Sequence, residues 1–206
     1  MAYNYTTLTG LKTVAGSIAN WLNRSDLPTD NILIEAEAKI YERLRVREMQ
    51  AIETLTIAAA ANSAALPTGF LDPIEWRPYG WSEPILYVHE QSVEAHRDEN
   101  GALFEGTPVK WGVIGETAYV DVACSETFSG KLMFYKRPTA LSGSNETNFL
   151  TIRYPGLLRI ACLALGHEHM KEWQAALNYT QMLESRIAEA NATNDLNRRG
   201  QMVLYR

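Results

Sequence analysis

Apolar residues recur along the chain at two different periods. Near the start, Leu11, Val14, Ile18 and Leu22 are spaced three and four apart, with Trp21 at the edge of their face, which predicts a helix. Asn23-Arg24-Ser25-Asp26 and Pro28 interrupt it, and Leu33, Ala36, Ile40 and Leu44 then trace a second helical stripe. Two short antiparallel helices are the simplest result. Between Glu53 and Ile57 the period falls to two, with Glu53, Leu55 and Ile57 alternating against Thr54 and Thr56. Residues 84–88, 109–114, 118–123 and 131–137 read as further strands, and the charged stretch 90–99 reads as a short helix between them. Within 131–137, Leu132 and Phe134 share one face while Met133 and Tyr135 share the other. A strand apolar on both faces needs a second layer or a partner chain.

Helical spacing returns after a Gly/Ser/Asn loop at residues 142–145. Pro155 suits a first helical position, where its missing N–H costs nothing. Residues 157–165 are apolar nearly all round, which fits burial between layers or subunits. A last helix is expected to place Trp173, Leu177, Thr180, Leu183 and Ile187 on one stripe. A polar link at 191–200 and an apolar ending, Met202-Val203-Leu204-Tyr205-Arg206, follow it. Six of the eight prolines (Pro67, Pro73, Pro78, Pro84, Pro108, Pro138) fall in the middle, where turns and edge strands tolerate them. The expected fold is α+β: a helical bundle from residues 1–50 and 146–199, a β-rich insertion over 51–145, and an extended C-terminal arm over 200–206.

With 206 residues, 46% hydrophobic and 21% charged, the chain has the balance of a globular protein and enough length to bury a core. Its net charge of −5 opposes nucleic-acid binding through overall charge. The acidity is local: residues 51–145 hold six basic and twelve acidic side chains, whereas the flanking parts are nearly balanced. No basic segment followed by an apolar one opens the chain, so no secretory signal is expected. The apolar run at 157–165 is far short of the roughly 20 residues that cross a bilayer, so no membrane partner is expected. Cys124 and Cys162 read as buried thiols, in a strand and a helix respectively, of a soluble protein made in a reducing compartment.

Candidate chemistry is sparse, and no cofactor is expected. His167-Glu168-His169, with Glu172 behind, offers metal-ligand types, but a zincin spacing would need histidine where Lys171 stands. His167 and His169, two apart, point to different faces of a helix. A polar helix end is the plainer reading, and a small metal-dependent hydrolase using His167, Glu168 and His169 is the alternative. His89 and His96, two turns apart with Glu90 and Glu94 between them, could form a ligand pair, but an exposed charged helix explains the same residues. Arg43 and Arg47 are four apart and share a helical face, Arg47 following Ile40 and Leu44 on the apolar stripe, where an unpaired charge is costly. An internal salt bridge or a contact with a neighbouring subunit would satisfy it; a small DNA-binding module using Arg43, Arg45 and Arg47 is a third reading. The apolar ending is either a frayed terminus or an arm that orders on another protein.

Several blocks together resemble one family. They are Trp21-Leu22-Asn23-Arg24-Ser25-Asp26-Leu27, Ile34-Glu35-Ala36-Glu37-Ala38-Lys39-Ile40, Leu44-Arg45-Val46-Arg47-Glu48-Met49 and Leu66-Pro67-Thr68-Gly69-Phe70-Leu71. Tyr135-Lys136-Arg137-Pro138-Thr139-Ala140-Leu141-Ser142 follows, leading into Asn145-Glu146-Thr147-Asn148-Phe149-Leu150 and Arg153-Tyr154-Pro155. In this order, across nearly the whole chain, they resemble the head-to-tail adaptor (connector) proteins of tailed bacteriophages; residues 76–127 match least. The resemblance implies a structural virion protein without enzymatic activity, located in the neck and assembled in the host cytoplasm. It implies a homo-oligomeric ring, typically of twelve copies, beneath the portal protein and above a tail or nozzle protein. Packaged DNA would pass through the ring's channel without specific binding. By position, Met202, Val203, Leu204, Tyr205 and Arg206 would dock on the portal. Arg43, Arg47, Leu157 and Leu158 are the candidate subunit contacts.

Overall fold

Leu33, Ala36 and Ile40 all fall on the buried side of a helix, α1 (Thr29–Arg43), as their spacing requires. This computed structural model describes residues 24, 26–89, 101–141, 145 and 147–203, without the side chains of 29, 30 and 195–203. The helices expected over residues 11–22 and 90–99 lie outside the described residues, as does the loop at 142–144. The protein is a mixed α+β chain that divides into two units, one of Met1–Glu48 with Pro138–Arg206 and one of Met49–Arg137.

In the first unit, the short α2 (Phe149–Arg153) starts in a capping box: Asn148 accepts from the Thr151 backbone N–H, and the Thr151 hydroxyl accepts from the Asn148 N–H. Pro155 then opens α3 (Pro155–His169) at its first turn. This helix packs against α1 on one side and α4 (Trp173–Val203) on another. That central position explains its apolar circumference, and Leu157, Leu158, Ala161, Cys162 and Ala164 are all buried. Burial pushes the Cys162 thiol up to about 12, so it stays protonated and inert. On α4 the buried positions among the described residues are Ala176, Leu183, Ile187 and Asn194, while Trp173 and Leu177 are 63% and 50% exposed. The expected stripe therefore holds at Leu183 and Ile187 and fails at Trp173 and Leu177, where Ala176 takes the buried position. Nor is 191–200 a link: α4 runs unbroken to Val203. Of the expected extended arm, residues 200–203 are helical and 204–206 lie outside the described residues.

The second unit is built of nine strands among the described residues: β1 (Gln50–Ile57), β2 (Ser63–Ala65), β3 (Phe70–Pro78), β4 (Leu86–Tyr87), β5 (Glu105–Gly106), β6 (Lys110–Ile114), β7 (Thr117–Val120), β8 (Ala123–Cys124) and β9 (Phe128–Lys136). One antiparallel sheet runs β1-β9-β3, a second runs β2-β7-β6-β4 with β4 parallel to β6, and β5 pairs with β8. The stretch expected as one strand at 118–123 is two, β7 and β8. Gly115, at φ +60°, begins the two-residue turn between β6 and β7, a position that such hairpins reserve for glycine. β9 is the middle strand of its sheet; Leu132 and Phe134 on one of its faces enter the core, and Tyr135 on the other is also buried. Leu55, Ile57, Trp76, Trp111, Val120, Leu132 and Phe134 form one core drawn from both larger sheets. Trp76 meets Trp111 edge-on at 5.5 Å and Phe128 at 5.4 Å.

Candidate functional site

The arginine segment is the first candidate, and its geometry differs from the expected one. α1 stops at Arg43, and Leu44 turns extended at φ −75°, ψ 127°. Arg43 and Arg47 therefore do not share a helical face. Instead, two asparagines one turn apart on α4 hold the segment by its backbone. Asn191 Oδ1 accepts from the Arg45 N–H at 2.8 Å and its Nδ2 donates to the Arg43 carbonyl at 2.9 Å. Asn194 Oδ1 accepts from the Arg47 N–H at 3.1 Å and its Nδ2 donates to the Arg45 carbonyl at 3.4 Å. A helix face thus stands in for a neighbouring strand and satisfies backbone groups that α1 has released.

The side chains then diverge. The Arg45 guanidinium folds back to donate to the Tyr41 and Leu44 carbonyls. Arg43 reaches Glu184 on α4 at 2.8 Å, with both groups about half exposed or more. Arg47 is 63% exposed and lies 3.5 Å from Glu48, which also pairs with Arg153. Leu157 and Leu158 are covered by their own chain. Asn191→Ala is expected to lower stability by about 1–2 kcal/mol, the cost of two lost backbone partners. Limited trypsin digestion should then cut at Arg45 faster than in the wild type; unchanged cleavage would show that the clamp holds nothing.

The histidine candidate is not brought together. His167 is 8% exposed, its Nδ1 sits 2.7 Å from Glu172 Oε2, and its ring stacks on Tyr179 at 5.3 Å. It ties the end of α3 to α4. Glu168 and His169 are exposed, and His169 lies in a separate groove with Glu168, Glu35 and Trp173. Lys171, at φ +63°, has already left the helix in the left-handed position past its cap. Among the described residues no group of three or more histidine, cysteine or acidic side chains could hold a metal. His89 is exposed and His96 lies outside the described residues.

A buried polar centre escaped the sequence reading. Glu37 on α1, 4% exposed, accepts from Tyr41 Oη at 3.0 Å, Asn148 Nδ2 at 2.8 Å and the Leu141 N–H at 3.1 Å. It gathers α1 and the loop leading to α2, both within the resembling blocks. Arg24 grips Asp26 through two 2.8 Å bonds, which hold that carboxyl down at about 2.

A family model described as SU10 adaptor protein matches residues 7–203 of the chain. The chain belongs to this family. SU10 adaptor proteins are phage head-to-tail adaptors, so the resemblance carried by the sequence blocks and the family match agree. Membership makes a structural role in the virion neck, in contact with portal and tail components, the coarse assignment. Comparison with curated proteins finds no match. Among the described residues of this SU10 adaptor, no helix is long and apolar enough to cross a membrane.

Proposed function

We propose that the protein closes into a homo-oligomeric ring, of twelve copies, beneath the portal protein of a tailed phage. The ring extends the DNA channel and receives a tail or nozzle protein below. The family match over residues 7–203 carries this reading, because it takes in both the helical and the β-rich units. The ring assembles in the host cytoplasm and performs no catalysis. Residues 202–206 dock on the portal, with Leu204 and Tyr205 supplying apolar area and Arg206 a charge. Arg43 and Arg47 face a neighbouring subunit, whereas Leu157 and Leu158, expected there too, are buried within their own helical unit. The surplus of twelve acidic over six basic side chains in residues 51–145 suits a channel wall along which DNA slides without sticking.

Removal of residues 200–206 tests the docking role. Full-length protein is expected to co-sediment with rings of the same phage's portal protein, and the shortened chain to lose at least about tenfold in affinity. The paired variant Leu204→Ser/Tyr205→Ser, which leaves the helix intact, should lose most of the same binding. Equal binding by all three proteins would contradict the arm.

A further inference from the structure

Two open grooves carry opposite unmet charge, and they lie on different units of the chain. On the helical unit, Arg153, Arg159 and Arg186 rim a groove of about 480 Å³ whose floor is Tyr154, Ile160 and Ala190. Arg153 is spoken for by Glu48 and Arg186 by Glu189, whereas Arg159 makes no ion pair among the described residues. On the β unit, Tyr79, Trp81, Pro108, Phe128 and Glu126 line a recess of about 470 Å³. Trp81 stands edge-on to Phe128 at 6.1 Å and is 39% exposed, and Tyr79 is 55% exposed. Both rings thus offer aromatic surface to solvent within the recess. Glu126 is exposed and makes no ion pair among the described residues.

A recess lined by both an indole and a carboxylate can receive a guanidinium, which stacks on aromatic rings and pairs with acids. The arginine groove offers that group. We propose that the Arg159 groove of one copy docks on the Trp81–Glu126 recess of the next, so that a second copy of this chain is the occupant of both. The charges of the units agree: the β-rich part is strongly acidic and the helical part slightly basic. Because the two grooves are different surfaces, the contact is head-to-tail, the type that repeats about an axis and that a closed ring requires. The inference rests on the ring reading above and gives one interface of that ring its residues.

The test measures the mass of assemblies formed by the full chain, alone and with portal rings, for wild type, Arg159→Glu, Glu126→Arg and the double reversal. Each single reversal sets like charges together and is expected to raise the concentration needed for assembly at least about tenfold. The double reversal restores the pair and should return within about threefold of wild type, a recovery that misfolding would not give. Single variants that assemble as wild type does, or a double variant no better than the singles, would overturn the interface while leaving the ring intact. Loss of DNA or portal capture without loss of self-assembly would likewise overturn it, by giving the arginine groove another occupant. A wild type that never forms a multimer would refute the ring itself.

Discussion

Gly130→Ala is expected to destabilise the β unit by about 3 kcal/mol, the upper end of the usual cost of overpacking. Gly130 sits inside β9, the middle strand of its sheet, opposite Leu55 on β1 and Pro78 on β3. A Cβ there would lie 2.5 Å from the Arg77 carbonyl oxygen and 2.6 Å from Pro78 Cα. Both are backbone atoms, so no rotamer change relieves the clash and the β3–β9 pairing must open. A strand glycine often marks such a close approach of another backbone. Gly156→Ala provides the contrast. Its Cβ would meet nothing within 4 Å on the first turn of α3, and the substitution should stabilise by up to about 1 kcal/mol. Urea unfolding of both variants, followed by circular dichroism, reads the two signs. A wild-type midpoint for Gly130→Ala would mean that β3 and β9 are not paired in this register.

Glu37→Ala should cost the helical unit a similar amount, about 3 kcal/mol. The carboxylate is 4% exposed and is the acceptor for Tyr41 Oη, Asn148 Nδ2 and the Leu141 N–H. Alanine leaves the buried donors facing a void, and stranded donors cost more than the bonds contributed. Tyr41 and Asn148 keep their mutual 3.0 Å bond, which limits the loss. Glu37→Gln keeps one carbonyl oxygen but turns an NH2 toward donors, so about half the loss is expected. Thermal unfolding should show the alanine variant lower by roughly 6–12 °C. A shift under 2 °C, if the unfolding remains cooperative, would contradict the role given to Glu37.

The parts of the fold legible in the sequence are those where spacing and burial coincide. Leu33, Ala36 and Ile40 defined α1, Pro155 marked the start of α3, and the alternation of Leu132 and Phe134 marked the core-facing side of β9. β3 was missed because Pro73 and Pro78 lie within it. As an edge strand whose register shifts near Pro73, it tolerates residues that argue against a strand elsewhere. The length of α4 was missed for a different reason. Asn191 and Asn194 look like linker residues, yet their amides are what the backbone after α1 needs. Their i, i+3 spacing was the available signal. Glu37 was equally hidden, since a single acid on a helix reads as a solvated face until the chain 100 residues later folds over it. The candidate contact residues were legible as charges but not as geometry, because Arg47 leaves the helix that its spacing assumed.

Stoichiometry with the portal tests the proposed ring most directly. Native mass spectrometry of portal rings mixed with excess full-length protein is predicted to show one species in which twelve copies of this chain join each portal ring. Portal rings that keep their own mass, with this chain remaining a monomer beside them, would contradict it.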